Sequence, residues 1–237
     1  MGSGLDVVRW TTGRLRIGPW HDEDGIASVA PVGDGGDLQP EAVDEALVRL
    51  ADAGYHTAIT SAVGPAESRA FLLAGLEVHE RLHLLARDLR NLPAAPPAAL
   101  RRARRRDHDR VLEIDRAAFD DFWRLDRSGL VDALDATPAS RFRVAVSPAD
   151  DERIIGYAVC GRAGRRGFVQ RLAVDPGEQS RGVGTALLVD GLGWLRRRGA
   201  TRAVVNTQES NEGAVRLYER LGFDRQPGGL AVLRKHW

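Results

Sequence analysis

The sequence predicts an α/β protein, and three observations carry that expectation. Strand-like runs alternate with amphipathic helical runs. The helical runs stop on glycines in regular succession, at Gly54, Gly75, Gly199 and Gly222, as helix C-termini favour. The stretch 91–98 (NLPAAPPA) holds three prolines and no hydrophobic period, which reads as an extended linker. It separates an N-terminal part, 1–90, from a C-terminal part, 99–237.

In the N-terminal part, strand-like segments fall at 14–17 and 26–29. A helix is expected over 40–53, with Pro40 near its first position and acidic residues in its first turn. A strand at 57–62 and a helix at 66–74 follow. Then Val78, Leu82, Leu84 and Ala86 recur at even spacing, which suits a strand.

In the C-terminal part, 99–104 reads as a first strand and 107–119 as a helix, with Asp107 as its N-cap. A short helix at 125–134 is expected next. The run 141–146 alternates with period two, and 154–160 (IIGYAVC) reads as a buried strand. Residues 161–167, rich in Gly and Arg, are expected to turn into a strand at 168–174. A helix over 182–198 shows a broad apolar face, with Arg196–Arg198 in its last turn where positive charge suits the helix dipole. A strand at 202–205, a helix at 212–221 and a last strand at 230–233 close the pattern.

The two parts echo one another. Helix, Gly54, strand, helix, Gly75 in the first matches helix, Gly199, strand, helix, Gly222 in the second, an indication of internal duplication. The first copy lacks a counterpart to 99–134 and is expected to be partial.

Composition narrows the function. At about 150 residues per domain, 237 residues amount to roughly one and a half domains. Basic residues (34) almost equal acidic ones (33), which argues against a nucleic-acid partner. Of the basic residues a single one, Lys235, is lysine, and nothing in the sequence explains that. One cysteine, Cys160, excludes an intrachain disulfide and any cysteine-based metal site, and its apolar surroundings mark it as a core residue. No stretch approaches the roughly 18 apolar residues of a membrane span, and the N-terminus does not read as a signal peptide. A cytoplasmic protein is expected.

Two constellations carry chemistry. In RLAVDPGEQSRGVGT (171–185) a strand ends in a turn that feeds a helix N-terminus. Free N–H groups and the helix dipole make such a place an anion site. Gly182 and Gly184 permit close approach of phosphate oxygens, and Arg181 adds charge. In NEGAVRLYERLGF (211–223), Asn211 stands at a helix start and Tyr218 lies two turns on, on the same face.

Together these residues resemble the GNAT superfamily of acyl-CoA-dependent N-acyltransferases. Its Q/R-x-x-G-x-G/A signature fits Gln179-x-x-Gly182-x-Gly184, and the likeness extends over 99–237. The tandem layout, with a degenerate first copy, resembles actinobacterial members. The resemblance implies a GNAT fold on a mixed α+β sheet in the C-terminal part, and a truncated, non-catalytic GNAT-like N-terminal part. It implies acetyl-CoA as co-substrate and no metal. The pyrophosphate would lie on Ser180, Arg181, Gly182, Val183, Gly184 and Thr185, and the pantetheine arm along Leu172, Ala173 and Val174 like an added strand. An N–H near Leu172 would polarise the thioester carbonyl. Asn211 would contact the cofactor, and Tyr218 would act as general acid toward the leaving thiolate.

The general base is unassigned. The positions where relatives carry glutamate match Phe168 and Asn206, and neither can take a proton. Glu209 and Asp126 are the candidates, with a water relayed by Asn206 or Gln170 as a third route. In the first copy Phe71 stands where Tyr218 stands in the second, and GDGGDLQPEAV (33–43) holds no phosphate-loop motif. That copy is expected not to turn over acetyl-CoA.

Two further motifs compete. His79-Glu80-x-x-His83 fits the H-E-x-x-H zinc-peptidase pattern, which needs a helix, whereas the even apolar spacing there favours a strand. RRARRR (101–106) reads as a solvated run, diluted by Asp107 and Asp109. The expected function is acetyl transfer from acetyl-CoA to a primary amine, carried on a small molecule or a peptide, by a monomer or homodimer without nucleic-acid or membrane partners. The alternative is a non-catalytic acyl-CoA-binding module.

Overall fold

The structure is a computed structural model describing residues 6–9, 14–20, 23–32 and 38–237. In chain order its elements are β1 (Asp6–Arg9), β2 (Arg14–Pro19), β3 (Ile26–Pro31), α1 (Pro40–Asp52), β4 (Thr57–Thr60), α2 (Pro65–Leu73) and β5 (Glu77–Asp88). After 91–98, which holds no regular element, come β6 (Ala99–Arg102), α3 (His108–Ala118), α4 (Arg127–Asp135), β7 (Ala139–Ser147), β8 (Asp150–Ala163) and β9 (Arg166–Val174). The chain continues with α5 (Val183–Arg197), β10 (Arg202–Gln208), α6 (Glu212–Arg220), β11 (Asp224–Arg225) and β12 (Leu230–His236). The glycines at 33–36 ahead of α1, and the first residues, 1–5, lie outside the described residues.

Two compact units divide the chain. Unit 1 takes the described residues up to Leu84 together with Thr207–Ser210 and Gln226–Trp237; unit 2 takes Leu85–Asn206 and Asn211–Arg225.

In unit 1, β1, β2 and β3 pair antiparallel in turn, and β4 runs parallel to β3 after the α1 crossover. Helix α1 forms because Ala42, Val43, Ala46, Leu47 and Leu50 recur at helical spacing, and all five are buried. The chain leaves it through Gly54 at φ +90°, a left-handed conformation that glycine adopts without penalty. Leu15, Ile17, Val29, Ala58 and Phe71 complete this core. The final strand, β12, pairs antiparallel with both β4 and β5. Sequence order places it at the end of the C-terminal part, whereas the fold places it in unit 1. A local pattern makes a strand but does not name the edge that receives it.

In unit 2, β6, β7, β8 and β9 pair antiparallel, and β10 runs parallel to β9. Alternate residues of β8 serve opposite faces. Tyr157 and Val159 pack with Val111, Ile114 and Leu130 of α3 and α4, while Ala158 and Cys160 pack toward α5. The succession β1-β2-β3-α1-β4-α2 repeats in order and strand sense as β7-β8-β9-α5-β10-α6. The echo thus reaches further upstream than sequence indicated. The mixed α/β architecture agrees with the expected fold class.

Three expectations are corrected locally. The turn at 161–167 shrinks to Gly164 and Arg165, since β8 runs to Ala163 and β9 starts at Arg166. Gly161 and Gly167 are packing glycines inside strands: a Cβ on Gly161 would sit 2.2 Å from Thr137 Oγ1, and one on Gly167 would sit 2.7 Å from Leu195 Cδ1. Asp107 does not cap α3 with its side chain; its carboxylate accepts from Arg101 Nη1 (2.7 Å) and the Arg104 N–H (2.6 Å). One arginine of the 101–106 run is therefore an ion-pair partner rather than a solvated charge.

Candidate active site

Strand β9 begins paired to β10 and then leaves it. The register runs only from Arg166↔Arg202 to Phe168↔Val204. Beyond Phe168 the β9 edge that faced β10 carries no partner in that register, so Leu172, Ala173 and Val174 lie on an edge that can accept another extended chain. A bulge marks the departure. Val169 pairs with Cys160 and Arg171 with Val159, which leaves Gln170 extra. Both polar atoms of the Gln170 amide are buried without a partner.

Past Val174 the chain turns under several restraints. The Asp175 carboxylate accepts from the Gly177 N–H (3.2 Å) and pairs with Arg110 of α3. Gln179 Nε2 donates to the Val174 carbonyl (3.2 Å). Ser180 at φ +62° and Gly182 at φ +82° are both left-handed, and Gly182 is the N-cap of α5. Among the described residues no N–H from Ser180 to Thr185 donates to a backbone carbonyl; the first intrahelical donor is Ala186, to Gly182 O (2.9 Å). Left-handed residues just ahead of a helix start can turn successive N–H groups toward one point, which suits an anion. Arg181 is partly spent, because its Nη1 pairs with Glu178 (2.9 Å) on an exposed side chain. Gly184 faces Leu217 Cδ2 and Val174 Cγ2 at 3.5 and 3.6 Å from an ideal Cβ, ordinary contact distances, so only Gly182 is demanded by backbone conformation.

The first turn of α5 sits close on the sheet because of Gly156. A Cβ there would lie 3.0 Å from the Ala173 carbonyl and 3.2 Å from Val183 Cγ1. Helix α6 starts at Asn211, whose side-chain oxygen accepts from the Ala214 N–H (3.0 Å). Tyr218 is buried on its inner face, 5.6 Å from the Phe223 ring centroid. Burial first, and then the neighbouring Cys160 sulfur, push the Tyr218 hydroxyl well above the usual phenol range, while the Arg171 charge pulls the other way. The hydroxyl stays protonated at any working pH. Cys160 is enclosed and its thiol is pushed up to about 12, chiefly by burial, so it is no nucleophile.

The candidate bases fare differently. Asp126 is the N-cap of α4, accepting from Gly129 N–H (2.6 Å) and Ser128 Oγ (2.8 Å). Glu209 is exposed in the 207–210 segment, which belongs to unit 1. His79 and His83 lie on strand β5, where positions four apart are separated by about 13 Å, and a helical zinc motif does not form.

One cluster has no counterpart among the sequence motifs. Asp115 of α3, wholly buried, binds Arg171 Nε (2.7 Å) and Nη2 (2.8 Å), the Leu125 N–H (2.7 Å) and the Tyr157 hydroxyl. These partners lie far apart in the chain. The only local trace is an acid inside the apolar spacing of residues 111–119.

The family model described as acetyltransferase (GNAT) family matches residues 104–223, half of the chain. The chain belongs to the GNAT acetyltransferase family. A mycothiol acetyltransferase of Actinosynnema mirum is 33% identical over 157 residues, covering 61% of this chain and 52% of that protein. One from Salinispora arenicola is 46% identical over 91 residues, covering 37% and 30%. The chain thus spans about half, or less, of the length of the curated relatives it matches. A solved tandem GNAT protein from the clavulanic acid biosynthesis pathway superposes with a TM-score of 0.72 at 16% identity, over 97% of this chain and 81% of that one. At that identity the likeness concerns the fold, and it supports a tandem GNAT arrangement. No helix among the described residues is long and apolar enough to cross a membrane.

Proposed function

We propose that this chain transfers an acetyl group from acetyl-CoA to a primary amine by direct attack. The observation that carries the reading is β9 itself: a strand edge released from β10 after Phe168, leading into unpaired N–H groups at residues 180–185. Acetyl-CoA supplies the activated acetyl thioester. The N–H groups of Ser180–Thr185 hold its pyrophosphate, with the left-handed Ser180 and Gly182 turning them inward. The free edge at Leu172–Val174 pairs with the pantetheine amides. An N–H near Leu172 donates to the thioester carbonyl as charge develops on its oxygen. The Tyr218 hydroxyl donates to the departing sulfur, and Asn211 holds the cofactor at the start of α6.

Of the candidate bases, Asp126 is engaged as a helix cap, so deprotonation falls to a water. The relatives named as mycothiol acetyltransferases favour an acceptor amine on a small molecule. The first copy, with Phe71 in place of a tyrosine, serves a structural role. The second reading is an acyl-CoA-binding module without turnover, and the engagement of Asp126 as a helix cap favours it. Thiol release from acetyl-CoA against an amine panel, with calorimetry of acetyl-CoA binding, decides. Release with at least one amine supports transfer. Tight binding with no release supports the module, and no binding overturns both.

A further inference from the structure

The cluster around Asp115 lies one residue from Leu172, and its chemistry can be narrowed. The carboxylate accepts four hydrogen bonds, from Arg171 Nε and Nη2, Leu125 N–H and Tyr157 Oη. Four donors fill the lone-pair sites of a carboxylate. Tyr157, equally buried, holds its proton far above the usual range, chiefly through burial and then the Asp115 charge. Neither group can serve as the missing base, because Asp115 has no free lone pair and Tyr157 does not ionise.

What remains is position. The Gln170 bulge interrupts the β8–β9 ladder immediately before Arg171, and a bulged strand is free to bend and twist locally. Arg171 removes that freedom. Its guanidinium is gripped on both carboxylate oxygens, donates through Nη2 to the Trp123 carbonyl (2.5 Å), and stacks 3.5 Å from the Phe119 ring centroid. The connection between α3 and α4 has no strand partner, and its Trp123 carbonyl and Leu125 N–H both bind this ion pair.

We propose that Arg171, clamped by Asp115, is a positioning residue for acetyl transfer: it fixes the bulged β9 backbone at Leu172 against α3 and the 119–125 connection. The inference rests on the acetyl-transfer reading of the site. It acts through the backbone beside the thioester carbonyl and not through the phosphate loop, so it predicts a separation between turnover and cofactor affinity.

Arg171→Lys tests it, since lysine keeps the charge but lacks the two-pronged fork. The full chain is assayed by thiol release with an amine the wild type accepts, and acetyl-CoA affinity is measured by calorimetry. The expected result is a fall in kcat of about 10- to 100-fold with Kd for acetyl-CoA within about threefold, and faster amide exchange in peptides covering 169–174. A folded Arg171→Lys protein with wild-type kcat overturns the proposal, as does a rise in Kd that accounts for the whole loss. Where Arg171→Lys does not fold, Tyr157→Phe decides. It removes one donor from Asp115 and is expected to lower kcat severalfold at unchanged Kd; unchanged kcat overturns the proposal. A wild-type protein that binds acetyl-CoA yet acetylates no amine overturns the transfer reading itself, and a positioning role with it.

Discussion

In the resting protein the Tyr218 hydroxyl is a weaker acid than the thiol it would serve. A thiol ionises near pH 8.5, whereas burial holds Tyr218 well above 10. Full proton transfer to a thiolate would therefore be uphill, and in the proposed reaction the useful act is a hydrogen bond that strengthens as the sulfur gains charge. Tyr218→Phe is expected to lower kcat roughly 100-fold with little change in acetyl-CoA affinity; an unchanged kcat in stopped thiol-release assays removes the residue from the chemistry. Gly182 answers to a different constraint, its φ of +82°. Gly182→Asp adds both a side chain in a left-handed position and a negative charge among the N–H groups of residues 180–185, the proposed phosphate site. Calorimetry should find acetyl-CoA binding abolished. Lys235, unexplained by sequence, caps a helix end. Its Nζ donates to Ala74 O (2.7 Å) at the end of α2, beside Gly75. That role was illegible because cap and capping residue are far apart in the chain, as are Arg171 and Asp115. The helix starts at Gly182 and Asn211 are legible because each sits inside one short motif.

At the scale of elements, two carboxylates fasten helices to the sheet of unit 2. Asp190 of α5 receives Arg141 Nε and Nη2 (2.8 and 2.9 Å) from β7. Burial raises its pKa, but Arg141 and Arg143 outweigh that and hold it below the usual range. Asp107 is lowered chiefly by its hydrogen bond from Arg101. A carboxylate whose folded pKa is depressed contributes stability above its unfolded value, about 3.9, and loses it as pH falls through the folded one. The thermal midpoint should therefore drop as pH falls below about 4, and the drop should be shallower in Asp190→Asn measured over the same range. Cys160 has the opposite sign. Its raised pKa gives stability that is complete below the unfolded value, about 8.5, and lost as pH climbs toward about 12. Helix boundaries were readable because apolar spacing and terminal glycines agree at α1, α5 and α6. The turn between β8 and β9 is shorter than its composition suggests because Gly161 and Gly167 are there to clear side chains, and composition alone cannot separate that use of glycine from a turn.

At the scale of the whole molecule, the duplication was visible in sequence from its glycines, but the path of the chain was not. The 230–233 run is recognisable as a strand, while its neighbours, β4 and β5, are contributed by residues about 150 to 180 positions earlier. Removing 230–237 takes Ala231 and Leu233 from the unit 1 core and leaves β4 and β5 unjoined. Hydrogen exchange should show protection lost in peptides covering 57–60 and 77–84 and retained in 154–160; equal protection throughout would mean that β12 is dispensable to unit 1. This placement also bears on synthesis. Chains emerge from the ribosome N-terminus first, and domains commonly fold in that order. Here unit 1 cannot finish its sheet until residues 230–236 have been made and have left the exit tunnel. Throughout that interval the gap between β4 and β5 is an open template for stray strands, and the folding of the early half waits on residues made about 150 positions or more later.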